Sequence, residues 1–484
     1  VSPAAEPSTD DRSVAAAKTS APAGTFLSSN PARPTDNVGT FAASSRSDTV
    51  DAIEAAAAAQ QAWAGRSASE RATVVGGIAH ALAREMHALA DLVTREEGKP
   101  IATSQDEIRK AAEQFHFASQ LAFQSEGATY PVEAAGVFAH TLREPLGVVA
   151  AITPWNFPVS LPARKIAPAL AVGNAVVFKP SPVTAAVGEL LVELCHEAGL
   201  PSGLLSLVQG DDPDAMATLI DHPEVAAVTF TGSDAIGELV RQQASHARLQ
   251  AELGGHNGVL VCADADLVAA AKEVTAGAFA LTGQACTASA RVLVERSVHD
   301  ELAKLIGVEV ASLRVGPGDR NGVTCGPVAT IDQHRRLSAL RASAIDAGHL
   351  LGEGQLDDGI DPDGYWVQPA ALAGVPLDHP LNSTEVFGPL LSLVAVDSVD
   401  EGIELLNASR HGLVAAVHTT NLEVAHRFAR AVRCGIVKVN QRTTGNGIAP
   451  PFGGWKASRV GSLPEGGRHA VDFFTDIKTV YLRY

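Results

Sequence analysis

The 484-residue chain holds only five cysteines, at positions 195, 262, 286, 325 and 434, and none belongs to a CxxC pair or a Cys/His cluster at zinc spacing. An odd number of widely spaced thiols argues against a disulfide framework and against a structural metal. A reducing cytoplasm is therefore the expected compartment, and no metal site is expected. Positive charge is also short. Lys and Arg number 37 against 54 Asp and Glu, for a net charge of −17. That balance argues against nucleic acid or an anionic membrane surface as a partner. No stretch approaches the roughly 20 apolar residues a membrane helix needs. No internal repeat points to a solenoid or propeller. The GxGxxG fingerprint of an ordinary Rossmann dinucleotide site is missing too.

What is present begins with length, which exceeds what a single core supports and implies two large domains. The chain opens on Val1 rather than Met, so a trimmed start is expected. Residues 1–22, "VSPAAEPSTDDRSVAAAKTSAP", lack the basic and apolar regions of a signal peptide. They read as a flexible tail. From about 48 to 125 the chain is Ala-rich with helical spacing. From 146 it alternates: "LGVVAAIT", "AVVFKP", "LLSLVQG" and "VAAVTFTG" read as strands separated by helical segments. This alternation predicts a parallel, doubly wound sheet. The pattern restarts after "AELGG" with "NGVLVCADAD", which places a boundary near 254. The last segment, "DFFTDIKTVYLRY", reads as a strand able to pair with a hairpin within 130–146. The expected fold is therefore α/β, two doubly wound parallel-sheet domains plus a small antiparallel element suited to oligomerisation.

Several short stretches carry chemistry. "TFTGSDAIG" places Gly232 and Ser233 between a strand and a helix, where free N–H groups suit a phosphate; a Ser-capped helix start has the same pattern. "VFKPSP" puts Lys179 at the carboxyl end of a strand, the ligand-binding edge of open α/β sheets, although a surface lysine would look alike. A catalytic cysteine needs a thiolate, oxyanion donors and access. Cys286 in "TGQAC" follows a glycine turn, whereas Cys195, Cys262 and Cys434 sit in apolar surroundings and read as packing thiols. Cys325 lies in a loop with no obvious acid–base partner.

Taken in order, "ITPWNFP", "FKPSP", "FTGS", "AELGG", "GQAC", "EVFGP" and "PFGGWKAS" resemble the aldehyde dehydrogenase superfamily, from about residue 25 onward. Within it, "GQACTASARVLVE" and "VKVNQRTTG" are most similar to dehydrogenases of 2-oxoglutarate semialdehyde (2,5-dioxopentanoate). The resemblance implies that Cys286 attacks an aldehyde, that Asn156 and the Cys286 N–H hold the oxyanion, and that Glu252 activates water. Glu252, or Lys165 through water, would take the thiol proton. It also implies a cofactor site for NAD or NADP built from Ile152, Trp155, Lys179, Ser181, Pro182, Gly232, Ser233, Gly254, Glu385 and Phe387. Cofactor binding would then fall to residues 23–125 and 146–254, catalysis to 255–455, and assembly of a homodimer or homotetramer to strands in 126–145 and 468–484.

Departures from the resembled pattern bear on specificity. Pro182 stands where a carboxylate selects NAD in many relatives, so NADP is permitted and slightly favoured. His256 replaces a common Lys, with a structural effect only. Phe157 and Phe452 keep an aromatic substrate tunnel, but Arg164 stands where Trp is common and Ala280 where Phe is common. Arg442 lies before "PFGG", near the substrate entrance that the resemblance implies. A cation in an apolar tunnel suits a substrate carboxylate. The alternatives are that Arg164 pairs with an internal carboxylate and that Arg442 faces solvent. The leading expectation is oxidation of a carboxylated semialdehyde. An uncharged aldehyde, a CoA-acylating relative, a cofactor-independent thiol hydrolase and a catalytically silent structural or binding relative are the competing readings. The glutamate at 252 argues against the CoA-acylating form.

Overall fold

The N-terminal helices form because the sequence carries complete start signals. In the computed structural model, which describes residues 24–461 and 463–484, Ser45 accepts from the Asp48 N–H while the Asp48 carboxylate accepts from the Ser45 N–H. Ser67 and Glu70 repeat the arrangement one helix later. Each pair satisfies N–H groups that a helix start leaves unpaired. Helices Arg46–Ala64, Ala68–Arg84, Met86–Glu97 and Ile101–Leu121 follow in order. The expected tail, residues 1–22, lies outside the described residues.

Strands Val148–Ile152 and Ala175–Lys179 are buried at every position, as strands covered on both faces of a parallel sheet must be. With Leu205–Leu207, Val225–Thr231 and Arg248–Glu252 they form a parallel sheet. Strand Arg459–Val460 adds to its edge antiparallel, against Ala251 and Glu252. A segment from near the end of the chain thus returns to the first sheet, beside Glu252. Five strands of a second, seven-stranded sheet, Ala370–Ala373, Leu390–Val396, Ser289–Glu295, Asn257–Val261 and Val414–His418, are consecutive neighbours running parallel. Ile436–Val439 extends one end in parallel, and Leu350–Glu353 closes the other antiparallel. The first sheet's last parallel strand ends at Glu252, and the second sheet's strands begin at Asn257.

A third sheet is antiparallel. Thr475–Arg483 pairs along its length with Val137–Pro145, which also pairs with Thr129–Tyr130. The sequence reading started the last strand too early. Asp472–Phe474 belong instead to helix His469–Phe474, and both Phe473 and Phe474 are buried. Two adjacent aromatics cannot share one face of a strand, whose side chains alternate. Among the described residues no helix is long and apolar enough to cross a membrane.

Candidate active site

Cys286 sits in a loop that the backbone holds under strain. Leu281 and Thr282 have φ of 51° and 55°, and Gly283 follows at 71°. A Cβ on Gly283 would come within 2.2 Å of the Gly388 carbonyl oxygen, so only glycine fits that turn. The loop is tied down from several directions. Asn257 Nδ2 donates to the carbonyls of Cys286 (2.7 Å) and Ala288 (2.9 Å), and Thr282 Oγ1 donates to the Gly326 carbonyl. Asn156 Nδ2 donates to the Gln284 carbonyl at 2.9 Å, which leaves its second N–H to point elsewhere.

Two cavities meet at Cys286. One, of about 270 Å³, is lined by Trp155, Asn156, Gly232, Ser233, Glu385 and Phe387, among others. Trp155 and Phe387 meet edge to face, 5.7 Å apart. Glu385 Oε1 accepts from the Gly255 N–H at 2.9 Å, and burial pushes its carboxyl up to about 7. Gly254 gives it room, since a Cβ there would lie 2.4 Å from Glu385 Oε2. Ser233 caps helix Asp234–Gln243, whose N-terminus borders this cavity. The other cavity, of about 240 Å³, is lined by Phe157, Leu161, Arg164, Ala280, Lys110 and Phe452, among others.

Behind Cys286 lies a buried acid–base cluster. Glu252 ends its strand with Oε2 accepting from the Gly454 N–H at 3.0 Å, while Oε1 has no partner among the described residues. Burial, then the Glu465 charge, raise its pKa well above the usual carboxylate range. Lys165 Nζ forms a buried ion pair with Glu465 and donates to Thr229 Oγ1 at 3.0 Å. Burial, then Glu385 and Glu252, push the Cys286 thiol up to about 12. The resting sulfur is thus a neutral thiol that needs a base.

Of the residues singled out from sequence, Trp155, Asn156, Gly232, Ser233, Gly254, Glu385 and Phe387 converge with Cys286 on one cavity, and Phe157, Arg164 and Phe452 on the other. Lys179 lies one strand over, in register with Ile152. Its Nζ donates to the Gly210 carbonyl at 2.8 Å. Ser181 caps the short turn that Pro182 begins. None of these four lines the cavity, although they share the same carboxyl edge of the sheet. Arg164 does not pair with an internal carboxylate among the described residues; its guanidinium lies 4.6 Å over the Phe452 ring. Arg442 is a correction. It pairs with Glu273 at 3.4 Å, is half exposed and does not line the cavity. The neighbouring Thr444, Gly445 and Asn446 line it instead.

Four charged residues escaped the sequence reading. Glu465 is the partner of Lys165, 300 positions away, and no local pattern marks it. Lys110 lines the second cavity. Lys99 Nζ donates to the Asn156 carbonyl (2.6 Å) and to Glu107 Oε2 (2.7 Å). Glu107 Oε1 accepts from the Val159 and Ser160 N–H groups, and so supplies the cap that helix Ser160–Ala171 lacks locally. A Gly-Lys-Pro between two helical stretches was the one available signal.

Comparison with known proteins agrees with this geometry. The sequence model of the aldehyde dehydrogenase family matches residues 18–480. A Haloferax volcanii protein named alpha-ketoglutarate semialdehyde dehydrogenase is 36% identical over 94% of this chain and 95% of its own length. A Saccharolobus solfataricus protein named 2,5-dioxopentanoate dehydrogenase is 35% identical over 94% and 96%. Among solved structures, an NAD-dependent aldehyde dehydrogenase from Sinorhizobium meliloti superposes with a TM-score of 0.89 at 32% identity, covering 95% of this chain and 91% of that one. An E. coli NADP-dependent enzyme gives 0.89 at 31%, covering 95% of both chains.

Proposed function

The chain belongs to the aldehyde dehydrogenase family, and from that premise we propose that it oxidises a carboxylated semialdehyde, such as 2-oxoglutarate semialdehyde, to the acid. One observation carries this reading. The cavity on the far side of Cys286 has an apolar wall of Phe157, Leu161, Ala280 and Phe452; its two carboxylates, Asp106 and Glu107, pair with Arg109 and Lys99, whereas Arg164 stands in it without an ion pair among the described residues. A partly exposed guanidinium with no ion pair keeps its planar fork of donors available for a carboxylate that enters the cavity.

The chemistry follows from the residues. Glu252, whose buried Oε1 has no partner among the described residues, takes the Cys286 thiol proton, or Lys165 takes it through water. The sulfur then bonds to the aldehyde carbon, and the carbonyl oxygen takes the charge. The free N–H of the Asn156 carboxamide and the Cys286 N–H stabilise that oxyanion, as fixed donors do without reorganisation. When bound, NAD(P)+ supplies the hydride acceptor that leaves a thioester on Cys286. The residues fit that group: Gly232 and Ser233 at a helix N-terminus suit its pyrophosphate. Lys179 and Glu385 suit its riboses, Phe387 and Trp155 suit its ring, and Ile152, Ser181, Pro182 and Gly254 complete the edge. Pro182 presents no carboxylate to repel a 2′-phosphate, so NADP is accepted as well as NAD. Glu252 next takes a proton from water, whose oxygen attacks the thioester, and the Cys286 thiolate leaves and is reprotonated. A raised carboxylate pKa brings Glu252 closer to the working pH of a general base. The Lys165–Glu465 pair beside it gives the proton an exit.

The five unpaired thiols support a reducing cytoplasm, and the exposed terminal sheet supports a homodimer or homotetramer. The aromatic walls at Phe157 and Phe452 would also suit an uncharged aldehyde, so the test sets the two against each other. Formation of reduced cofactor is followed with succinate semialdehyde, 2-oxoglutarate semialdehyde, benzaldehyde and hexanal, each with NAD and NADP. The acidic aldehydes are expected to give the higher kcat/KM, Arg164→Ala to raise their KM selectively by about tenfold or more, and Cys286→Ala to abolish turnover. Preference for the uncharged pair, indifferent to Arg164→Ala, would refute the carboxylate reading while leaving the reaction type intact.

A further inference from the structure

Lys110 shares the Cys286 cavity with Arg164 and belongs to no motif of the reaction. It projects from helix Ile101–Leu121, whereas Arg164 projects from helix Ser160–Ala171. Lys110 Nζ donates to the Asn446 carbonyl at 2.9 Å. An ammonium has three N–H groups, so two remain. A third cation stands behind the same loop: Lys438 Nζ donates to the carbonyls of Thr444 (2.8 Å) and Gly445 (2.9 Å). Among the described residues none of these three cations forms an ion pair. Of the carboxylates nearby, Glu113 sits one turn along the Lys110 helix and acts on it electrostatically, and three are committed to other groups. Asp106 pairs with Arg109, Glu107 with Lys99 and two backbone N–H groups, and Glu273 with Arg442. A chain of net charge −17 thus places two cations without ion pairs, Lys110 and Arg164, on the lining of its reaction cavity, where the two lining carboxylates, Asp106 and Glu107, pair with other cations.

We propose that Lys110 is a specificity-determining residue for this reaction, forming with Arg164 a two-cation receptor for the anionic end of the aldehyde. This rests on the carboxylated-substrate reading above and names its second recognition group. Burial, then Arg164 and Lys438, lower the Lys110 pKa to about 8, with Glu107 and Glu113 opposing the fall. The receptor is therefore doubly charged well below that pH and loses one cation as pH rises through it.

The test uses succinate semialdehyde and its methyl ester, which differ in charge and little else. The readout is the ratio of their kcat/KM values, in wild type, Lys110→Gln and Lys110→Arg. Glutamine removes the charge and keeps an N–H donor, one bond shorter, on the side of the Asn446 carbonyl. Wild type is expected to favour the acid, and Lys110→Gln to cut that preference about tenfold, through KM. Lys110→Arg should keep it. The wild-type preference should also fall as pH rises through about 8, and the arginine variant should not show that fall. A Lys110→Gln variant that weakens both substrates equally, or leaves the ratio intact, would overturn the proposal while the carboxylate reading stood. A wild type with no preference for the acid would overturn both.

Discussion

Glu252 has to serve two masters in the chemistry proposed, and its surroundings suit the second better than the first. Its Oε2 is held by the Gly454 N–H and its Oε1 is free and buried, so one oxygen is fixed while the other can meet a water. A Cβ on Gly453 would lie 2.7 Å from that free oxygen, and the glycine there leaves the space open. Deacylation should depend on this base more than attack does, because water is a poorer nucleophile than the thiol. Glu252→Gln is therefore expected to lower steady-state turnover by about 10²–10⁴-fold, the usual worth of a general base, while a burst of reduced cofactor of near one equivalent per Cys286 survives. Rapid mixing with saturating aldehyde measures both. A variant that loses burst amplitude along with turnover would show that attack depends on Glu252 as strongly as deacylation does.

The segment linking helix Met86–Glu97 to helix Ile101–Leu121 reaches the reaction centre without touching substrate. Lys99 is buried between Glu107 and the Asn156 carbonyl, and Glu107 in turn caps the helix that carries Arg164 and Lys165. Three catalytic or recognition residues thus depend on the buried Lys99–Glu107 pair, beside which Glu97 lies 3.8 Å from the same ammonium. Removing the Glu107 charge leaves Lys99 with only the longer Glu97 contact in a low-dielectric interior, at a cost of up to about 3–5 kcal/mol. Glu107→Gln should lower stability by that amount, seen as an earlier urea midpoint in the fluorescence of the buried Trp63. A change below about 1 kcal/mol, the worth of an exposed pair, would show that the pair is solvated. The same pair explains a limit of the sequence. Motifs such as "GQAC" and "AELGG" were legible because a glycine in them answers a backbone demand that is local. Glu465, Lys110 and Glu107 answer demands made by residues far off in the chain, and a lone charged residue on a helix or loop advertises nothing. Arg442 shows a related limit: it lies beside the cavity loop, but its side-chain direction is set by Glu273 on helix Leu267–Phe279.

The α/β alternation that revealed two parallel sheets is a long-range signal, and it was legible because the central strands Val148–Ile152, Ala175–Lys179, Asn257–Val261 and Val414–His418 are buried at every position. The returning strand Arg459–Val460 and the antiparallel edge Leu350–Glu353 were not, since two to four residues are too few to show a period. The terminal sheet lies between these cases. Phe138 and Leu482 stand directly opposite each other on strands Val137–Pro145 and Thr475–Arg483. Opposed residues share a face, and Leu142 and Val480 lie on that face as well. Phe138 is 41% exposed and Leu482 50%, so the face carries apolar side chains with no cover in one chain. Such patches mark association surfaces, and the proposed homodimer or homotetramer would bury this one. Replacing the pair by Phe138→Lys with Leu482→Glu removes the patch but keeps an attractive cross-strand pair, which supports the strand register. The double variant should sediment at a lower mass than the wild type at equal concentration, with its circular dichroism retained. A wild type that already sediments as a monomer, or a variant whose mass is unchanged, would assign assembly to another face.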